Sequence, residues 1–428
     1  MKRRDFFRQS AAAALAGASA PQLIPSHVLA APGRPGANDR IQIGFIGLGG
    51  RAKWLMEFED FSAAQIVAVA DAFLPRCDEA AKKFPGGEKW SKYQDYRKMF
   101  DKEKLDAVFV ETTTHARVLT IMRALQAGLD VYGEKPLTLT VAEGKALVRA
   151  VRKLNRVLQT GTQQRSMPLD IYASKLVREG AIGKIREVIA CNFEGPQRWT
   201  PKPAQPMPEG LDWDQWCNQI ELRPYHKDLH FGWAIWWDYD GGGQSWGVSG
   251  WGTHALDQVQ CALGTDDTGP VEITPEEPGP QCKVTLRYAN GTLLKLEQPK
   301  INDHQQLGAI FVGEKGRLQI LRGDFKAEPK ELEAELRKDA PEPTPEGKNE
   351  CAPHLSNFFE CLRTRKQPNA DVEIGHRSTT VCHLINICRD VGRKLKWDPQ
   401  AEQFVGDDEA NKMLNRLRRK GYELPTIA

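Results

Sequence analysis

Short apolar runs and amphipathic segments alternate through the first part of the chain. The apolar runs have the length of buried strands, and they lie at residues 41–47, 65–70, 105–110, 129–132 and 157–160. Segments 115–127 and 141–154 carry apolar residues at helical spacing. Strands that alternate with helices predict an α/β domain built on a doubly wound parallel sheet, and we place it at residues 41–160.

The pattern changes to hairpins in the second part of the chain. Strand-like segments 281–289 and 292–298 are joined by Asn290-Gly291, which is typical of a type I′ hairpin. A second hairpin is predicted from 310–313 to 317–321. These hairpins predict a large antiparallel sheet.

The remaining segments of this part complete an α+β domain. Helices are predicted near 353–366 and 374–394. Segment 327–348 is rich in Glu, Lys and Pro and is predicted to be an exposed excursion. We expect a substrate-binding and oligomerisation domain over 161–428.

The charge of the chain is concentrated at its N-terminus. Lysine and arginine total 59 and the acids total 56, a formal net charge of +3. Residues 1–30 hold four basic residues and one acid, so the remainder balances at 55 against 55. Such a balance argues against nucleic-acid binding, which needs a basic face. No run of 18 apolar residues follows the N-terminus, so no membrane span is expected.

The first 30 residues have the pattern of an export signal. Arg3 and Arg4 precede two phenylalanines, a mild apolar run spans 11–20, and small residues suited to cleavage lie at 18–20 and 28–30. This order predicts a twin-arginine signal over 1–30 and a linker over 31–40. The expected partner is the twin-arginine export machinery, and the expected location is periplasmic or secreted. A disordered N-terminal extension is the alternative.

The cysteines indicate neither a disulfide framework nor a zinc site. Their number is nine, which is odd, and no Cys-x-x-Cys pair occurs. Twin-arginine substrates fold in the cytoplasm, so mostly reduced, buried cysteines are expected, although one bridge stays open. No cluster with metal-ligand spacing is present, and no metal is predicted.

A glycine-rich turn follows the first predicted strand. Gly47, Gly49, Gly50, Arg51 and Ala52 belong to a G-x-G-x-x-A motif. The first glycine permits a tight turn, the second lets the backbone approach a pyrophosphate, and the alanine lets the next helix pack closely. The pyrophosphate would lie at the helix N-terminus, where Arg51 could add a contact. The motif predicts a Rossmann-type dinucleotide site.

Asp71 ends the second predicted strand, 22 residues after Gly49. A carboxylate there would accept hydrogen bonds from the adenosine ribose. Ala72 and Phe73 are not basic, which favours NAD over NADP, but the nearby Arg76 leaves NADP open. The alternative is that Asp71 only caps the next helix.

Several separated motifs resemble those of the glucose-fructose oxidoreductase / inositol dehydrogenase / MocA family. Beside the glycine turn, they are Thr112–His115, Gly133-Glu134-Lys135-Pro136, Gln159–Ser166, Tyr239–Gly243, Gly252–Asp257, His354–Arg377 and Arg393–Asp398. The resemblance extends over essentially everything from residue 41 onward. It implies a homo-oligomer, a dimer or tetramer, in which the open face of the second sheet packs against another subunit.

The resemblance also implies roles for residues near the cofactor. Lys135 would stabilise the alkoxide that develops as hydride leaves carbon, and Glu134 would contact the nicotinamide ribose. Thr112, Thr113 and His115 would line the cofactor, although Thr113 stands where many members have proline. His115 could equally be a helix-capping histidine. A cis Lys135–Pro136 bond is possible.

His254 and Asp257 lie three residues apart on a predicted helix, which places them on one face. His254 is the natural acid/base, and Asp257 could orient its imidazole. Many members of the family carry an aspartate four residues before this histidine, where this chain has Gly250. Candidates to replace that aspartate are Tyr225, His230, Asp238, Tyr239 and Asp240.

Tryptophan is concentrated in one stretch of the second domain. Eight of the eleven tryptophans lie at 199, 213, 216, 233, 236, 237, 246 and 251. Indole rings can stack on the apolar face of a sugar, so part of this cluster is predicted to form a carbohydrate pocket; a core or an interface is the alternative. The predicted substrate-binding residues are Arg165, Trp236, Trp237, Tyr239, Trp251 and His254.

Three functions follow from this reading. The first is an exported NAD(P)-dependent oxidoreductase that acts on a sugar or glycoside and holds its cofactor tightly, because the periplasm supplies no dependable cofactor pool. The second is an NAD-dependent glycosidase that uses transient oxidation and elimination. The third is a sugar-binding protein that holds a cofactor without turnover. This alternative stays open because Gly250 stands where many family members have an aspartate.

Overall fold

Six parallel strands form the sheet of the first domain, in the order β3-β2-β1-β4-β5-β6. We analysed a computed structural model, which describes residues 40–243, 247–298, 307–344 and 347–427. The strands of this sheet are β1 (Ile41–Ile46), β2 (Ala64–Ala70), β3 (Ser91–Tyr93), β4 (Ala107–Val110), β5 (Asp130–Gly133) and β6 (Leu158–Thr160). The predicted doubly wound parallel sheet is confirmed, and its carboxyl ends all lie at one edge.

The second sheet has nine strands in the order β13-β12-β11-β7-β10-β9-β8-β14-β15. They are β7 (Ile185–Cys191), β8 (Pro270–Pro275), β9 (Val284–Tyr288), β10 (Leu293–Gln298), β11 (Ala309–Gly313), β12 (Arg317–Leu321), β13 (Asp324–Glu328), β14 (Leu395–Asp398) and β15 (Gln403–Phe404). Both predicted hairpins are confirmed. The pairing is antiparallel except between β7 and β10.

Helices cover both sheets. In the described part of the chain they are α1 (Gly50–Phe58), α2 (Pro75–Lys83), α3 (Tyr96–Lys102), α4 (Thr114–Gln126), α5 (Val141–Leu154), α6 (Pro168–Arg178), α7 (Trp213–Cys217), α8 (Lys227–His230), α9 (Trp251–Leu263), α10 (Lys330–Leu336), α11 (Ala352–Thr364), α12 (Val372–Val391) and α13 (Asp408–Lys412). None of these helices has the length and apolar character needed to cross a membrane.

The segment 327–348 is exposed or partly exposed at every described residue except Ala327, as predicted, but part of it has regular structure. Its first residues complete β13 and the next form α10. Phe325 and Ala327 are buried on the core side of β13, and Leu332 and Leu336 of α10 pack against the same core. The apolar residues are too few to stand out among the charges, but their spacing is enough to hold one strand and one short helix.

The hydrophobic core of the first domain has a layer on each face of its sheet. Side chains alternate along a strand, so Phe109 faces one layer while Val108 and Val110 face the other. On the first face, the ring of Phe109 stacks between Phe45 and Tyr132 at centroid distances of 4.7 and 4.8 Å. This packing holds β1, β4 and β5 together beneath the edge where their loops emerge.

Helix α11 packs on the first domain although it follows seven strands of the second sheet in sequence. Its Phe358 lies 5.7 Å from Phe109 and 5.8 Å from Tyr132, centroid to centroid. Leu355 and Phe359 join the same core layer. The cysteines behave as core residues too: all nine are free thiols within the described residues, and eight are buried.

We predict that Phe358→Ala lowers the free energy of unfolding by about 3–5 kcal/mol, because it removes a fully buried ring from the first domain's core. The matched control is Glu360→Ala on the exposed side of the same helix, with an expected change within about 0.5 kcal/mol. Urea unfolding followed by circular dichroism measures both. Equal stability of the two variants would show that α11 does not support the first domain.

Candidate active site

A cleft of about 440 Å³ lies at the carboxyl edge of the parallel sheet. Gly47 after β1, Asp71 after β2, Glu111 after β4 and Lys135 after β5 all line it. The second domain closes the other side with residues that include Trp216, Trp233 and Asp240. Ligands of open α/β sheets bind at this edge, so the cleft is the natural place for a dinucleotide.

The glycine turn leaves open the space that a pyrophosphate requires. Gly47 has φ +86°, and a Cβ there would lie 2.8 Å from the backbone of Glu111 and Thr112. Gly49 and Gly50, in contrast, have no protein atom within 4 Å of a Cβ position. Ala52, in the first turn of α1, is fully buried. The first glycine is therefore required by the fold, and the other two leave room in the cleft.

Asp71 is held by backbone amides of two loops. Its Oδ2 accepts a hydrogen bond from the Leu48 amide at 2.7 Å, and its Oδ1 accepts one from the Phe73 amide at 2.8 Å. Burial raises the pKa of Asp71, against the opposing charge of Arg76 at 3.7 Å. Helix α2 begins at Pro75 without a side-chain cap, so Asp71 is not the cap of that helix.

Glu134 connects the glycine-turn helix to Lys135. Its Oε1 accepts from Arg51 Nε at 2.8 Å, and its Oε2 accepts from the Lys135 amide at 2.9 Å. Burial opposes ionisation, but the charges of Arg51 and Lys135 lower the pKa of Glu134. Arg51 is therefore committed to this ion pair while it also lines the cleft.

Lys135 is partly buried at the junction of the two domains. Its Nζ donates to the carbonyl of Gly250 at 3.3 Å, immediately before α9, and the Lys135–Pro136 bond is cis. Burial lowers the pKa of the Lys135 ammonium, while Glu134 and Asp240 oppose that shift. A partly desolvated ammonium in a cleft is a strong hydrogen-bond donor to a developing oxyanion.

The threonines of the β4 loop line the cleft, whereas the histidine beside them does not. Thr112 and Thr113 are at the cleft surface, and Thr112 Oγ1 is buried without a partner. His115 is fully buried, and its Nε2 lies 2.8 Å from the carbonyl of Trp216. Burial lowers the pKa of His115 to about 4. The imidazole is thus neutral and ties the two domains together.

His254 and Asp257 do not form a pair in the structure. The Asp257 carboxylate accepts two hydrogen bonds from Arg165, both at 2.9 Å, and one from Ser378 at 2.6 Å. Arg165 is thereby buried in an ion pair away from the cleft surface. His254 lies one turn beyond Gly250, and burial, followed by the charge of Lys135, holds its pKa well below the usual range.

The tryptophans that reach the cleft differ from those predicted. Trp216 and Trp233 line it, together with the exposed ring of Phe231. Trp236 and Tyr239 belong to the same aromatic core as Trp216 but do not line the cleft, and Trp251 packs against the core of the second domain. Two guanidinium groups, Arg198 and Arg416, lie 4.6 and 5.1 Å from the Trp237 ring centroid. Trp246 lies outside the described residues.

Three charged residues at the cleft were not assigned to the site from the sequence. Glu111 is buried and both its carboxylate oxygens lack a partner. Arg117 donates to the carbonyl of Thr112 at 2.7 Å and also to that of Pro136, so it joins the loops after β4 and β5. Asp240, predicted only as one of five candidate replacements for the missing aspartate, lines the cleft from the second domain. It belongs to the segment Tyr239–Gly243, which we call the glycine loop.

The fold and this cleft define a dinucleotide-binding protein with a lysine at its domain junction. Family models match two parts of the chain: residues 41–162 match the NAD-binding Rossmann fold of an oxidoreductase family, and residues 172–424 match that family's C-terminal alpha/beta domain. The chain therefore belongs to the Gfo/Idh/MocA oxidoreductase family. Within the described residues, no group of three or more His, Cys, Asp or Glu side chains is arranged to hold a metal ion.

Relatives with named activities match about a third of this chain. Scyllo-inositol 2-dehydrogenase (NAD(+)) of Bacillus subtilis is 32% identical over 121 residues, which is 28% of this chain and 34% of that protein. Levoglucosan dehydrogenase of Pseudarthrobacter phenanthrenivorans is 32% identical over 141 residues, 32% of this chain and 34% of that protein. The matched segments thus span about a third of each relative's length.

Solved structures share the whole fold at low identity. The aldose-aldose oxidoreductase from Caulobacter crescentus, complexed with glycerol, has a TM-score of 0.57 at 21% identity, covering 83% of this chain and 99% of its own. The WlbA dehydrogenase from Bordetella pertussis, in complex with NADH and UDP-GlcNAcA, has a TM-score of 0.58 at 17% identity, covering 84% and 99%. These likenesses concern the two-domain architecture.

We predict that Gly49→Ala and Gly47→Ala act on different properties. Gly49→Ala should leave the free energy of unfolding nearly unchanged, because its Cβ meets no protein atom, but it should weaken NAD binding about tenfold or more, or by about 1.4 kcal/mol. Gly47→Ala should cost more than about 1 kcal/mol of stability, because the residue has positive φ. Isothermal titration calorimetry and urea unfolding measure the two effects.

The control for both variants is Gly269→Ala, at a position with an open Cβ direction far from the glycine turn. It should change neither stability nor NAD affinity appreciably. Unweakened NAD binding by Gly49→Ala would mean that the dinucleotide does not cross the glycine turn.

Proposed function

We propose that the protein is an NAD(P)-dependent oxidoreductase that oxidises or reduces a polyhydroxylated substrate, a sugar or glycoside, by hydride transfer. The observation that carries the proposal is one continuous cleft that joins the glycine turn, Asp71 and Lys135. NAD is the favoured cofactor because Asp71 presents a carboxylate at the ribose position, although Arg76 nearby keeps NADP within reach.

The residues of the cleft fit a dinucleotide. The space beside Gly49 is open, and the unpartnered Thr112 hydroxyl points to a missing hydrogen-bond partner. Asp71 would hold the adenosine ribose, and the residues around Glu134 and Lys135 would hold the nicotinamide end. When bound, the nicotinamide ring supplies the hydride acceptor or donor.

Lys135 is proposed to bind the reacting hydroxyl of the substrate. As hydride leaves the carbon, negative charge grows on the oxygen, and the buried ammonium stabilises that charge. Glu134 fixes the backbone of Lys135, and Arg117 fixes the following proline carbonyl. Lys135 therefore presents its ammonium from a backbone held on both sides.

The substrate wall is proposed to be formed by Trp233. This residue lines the cleft, and aromatic rings pack against the apolar face of a sugar ring. The relatives named for scyllo-inositol and levoglucosan act on polyhydroxylated rings, as their names state, which supports the substrate class. It does not select one sugar.

Export through the twin-arginine route is part of the proposal, and it demands a tightly held cofactor. The basis is the N-terminal sequence pattern, which lies outside the described residues. A periplasmic enzyme would regenerate its nicotinamide within each cycle, by transfer between two sugars. Mass spectrometry of protein from the periplasm of its native host should find bound NAD, and cofactor-free protein would contradict this part of the proposal.

A glycosidase that oxidises its substrate transiently is the second candidate. Oxidation next to a C–H bond makes that hydrogen acidic, and a buried carboxylate near Lys135 could remove it so that the aglycone leaves. Incubation of a chromophoric glycoside without added NAD separates the candidates, because aglycone release occurs only with the glycosidase. Sugar-to-sugar reduction without release supports the oxidoreductase, and bound NAD without any turnover supports a binding protein.

We predict that Lys135→Met lowers kcat for hydride transfer by about 10²–10³-fold, because the group that stabilises the alkoxide is lost. NAD binding should persist, since the glycine turn and Asp71 would still bind the dinucleotide without the Lys135 side chain. The control is Lys98→Met, which removes an exposed lysine from α3. Single-turnover absorbance at the NADH band, with a panel of aldoses and polyols, measures hydride transfer to the bound NAD; a near-native rate in Lys135→Met would refute the assignment.

A further inference from the structure

Asp240 is a buried carboxylate on the glycine loop that faces the cleft beside Lys135. The residue is 1% exposed, yet it belongs to the cleft surface. Its Oδ1 accepts a hydrogen bond from the Thr114 hydroxyl. Its Oδ2 has no partner and is shielded from solvent.

An unpartnered carboxylate oxygen in such a position indicates a ligand. Buried polar atoms are nearly always hydrogen-bonded, because losing water without replacement costs free energy. A hydroxyl donor placed between Lys135 and Asp240 would satisfy Oδ2. The absence of a side chain at Gly243 is necessary for this arrangement, since a Cβ there would overlap Asp240 Oδ2.

Three of the other four residues suggested as replacements for the missing aspartate do not line the cleft. Asp238 is ion-paired with Arg223 at 2.6 Å, and Tyr239 is packed in the aromatic core. The Tyr225 hydroxyl lies 3.4 Å from His230 Nδ1.

His230 does reach the cleft, but at its adenosine end. Its ring lies 5.9 Å from that of Phe73, and the charge of Arg76 acts on it. Arg76 is the cation beside Asp71, so His230 lies far from the reacting end of the cleft. His254, the acid/base expected from the sequence, is not among the residues that line the cleft.

We propose that Asp240 is the catalytic base of this chain. It takes the place of the aspartate that many family members carry where this chain has Gly250. The inference rests on the proposed hydride transfer. In oxidation, the C–H bond breaks and its electron pair leaves as hydride for the nicotinamide ring. The O–H bond breaks as its proton passes to Asp240 Oδ2, and the C=O bond forms. Lys135 stabilises the negative charge that the oxygen carries during this transfer. In reduction, the protonated Asp240 returns the proton.

The electrostatics around Asp240 suit this role. Burial raises its pKa to about 6, while the Thr114 hydroxyl and the charges of Arg117, Lys135 and Arg416 oppose the shift. The Cys382 thiol, whose pKa burial raises to about 12, also faces it and remains neutral. Asp240 is therefore ionised at neutral pH and able to accept a proton, and it loses that ability as the pH falls through about 6.

The test compares Asp240→Asn with Asp238→Asn, which removes the same charge two residues away. With the substrate found in the panel, we expect Asp240→Asn to lower kcat/KM for oxidation by about 10²-fold or more and to lose the acidic limb of the pH profile. Asp238→Asn should keep both. Near-native kcat/KM with an unchanged acidic limb in Asp240→Asn would overturn the inference.

A second variant, Thr114→Val, tests the same assignment without removing the carboxylate. Because the hydroxyl lowers the pKa of Asp240, its loss should move the acidic limb to higher pH, and a limb that stays in place would count against Asp240. If wild type and Asp238→Asn transfer no hydride with any substrate, the proposed function fails and the inference fails with it. If they are active and Asp240→Asn matches them, the inference fails alone.

Discussion

The buried carboxylate of Glu134 is the contact on which the cleft depends. It accepts from Arg51 on α1 and from the amide of Lys135, so it joins the glycine turn to the lysine after β5. A buried charge is costly unless it is paired and hydrogen-bonded. Gly161 leaves the space that this carboxylate occupies, because a Cβ there would lie 2.7 Å from Glu134 Oε1.

The charges of the cleft fall into two groups. Asp71 and Arg76 lie at one end, and Asp240 lies with Lys135 and Arg117 at the other. Burial acts in opposite directions on acids and bases: it raises the pKa of Asp240 and lowers that of Lys135. The two values approach each other, which suits a site where a proton moves from a hydroxyl while an ammonium stabilises the oxygen left behind.

Local signals predicted the first domain and its half of the site. Glycine spacing and strand ends place Gly47, Asp71 and Lys135 correctly, because each position depends on its own turn and on one sheet edge. The pairing of His254 with Asp257 could not be judged in this way. Both lie on one helix face, but α9 is buried on nearly all sides, so Arg165 and Ser378 from other segments compete for the carboxylate. The choice of tryptophans depends on tertiary packing for the same reason.

The glycine at position 250 changes the chemistry that the second domain contributes to the cleft. Without a side chain there, the start of α9 offers Lys135 only a backbone carbonyl, which accepts a hydrogen bond but cannot take up a proton. The second domain instead places a buried carboxylate, Asp240, on the loop at 239–243, which turns at the cleft with φ near +90° at Gly241 and Gly242. Asp240 on this loop is held beside the first residue of α4, because the Thr114 hydroxyl donates a hydrogen bond to its carboxylate. The same lysine can thus work with a carboxylate supplied from a different segment of the chain.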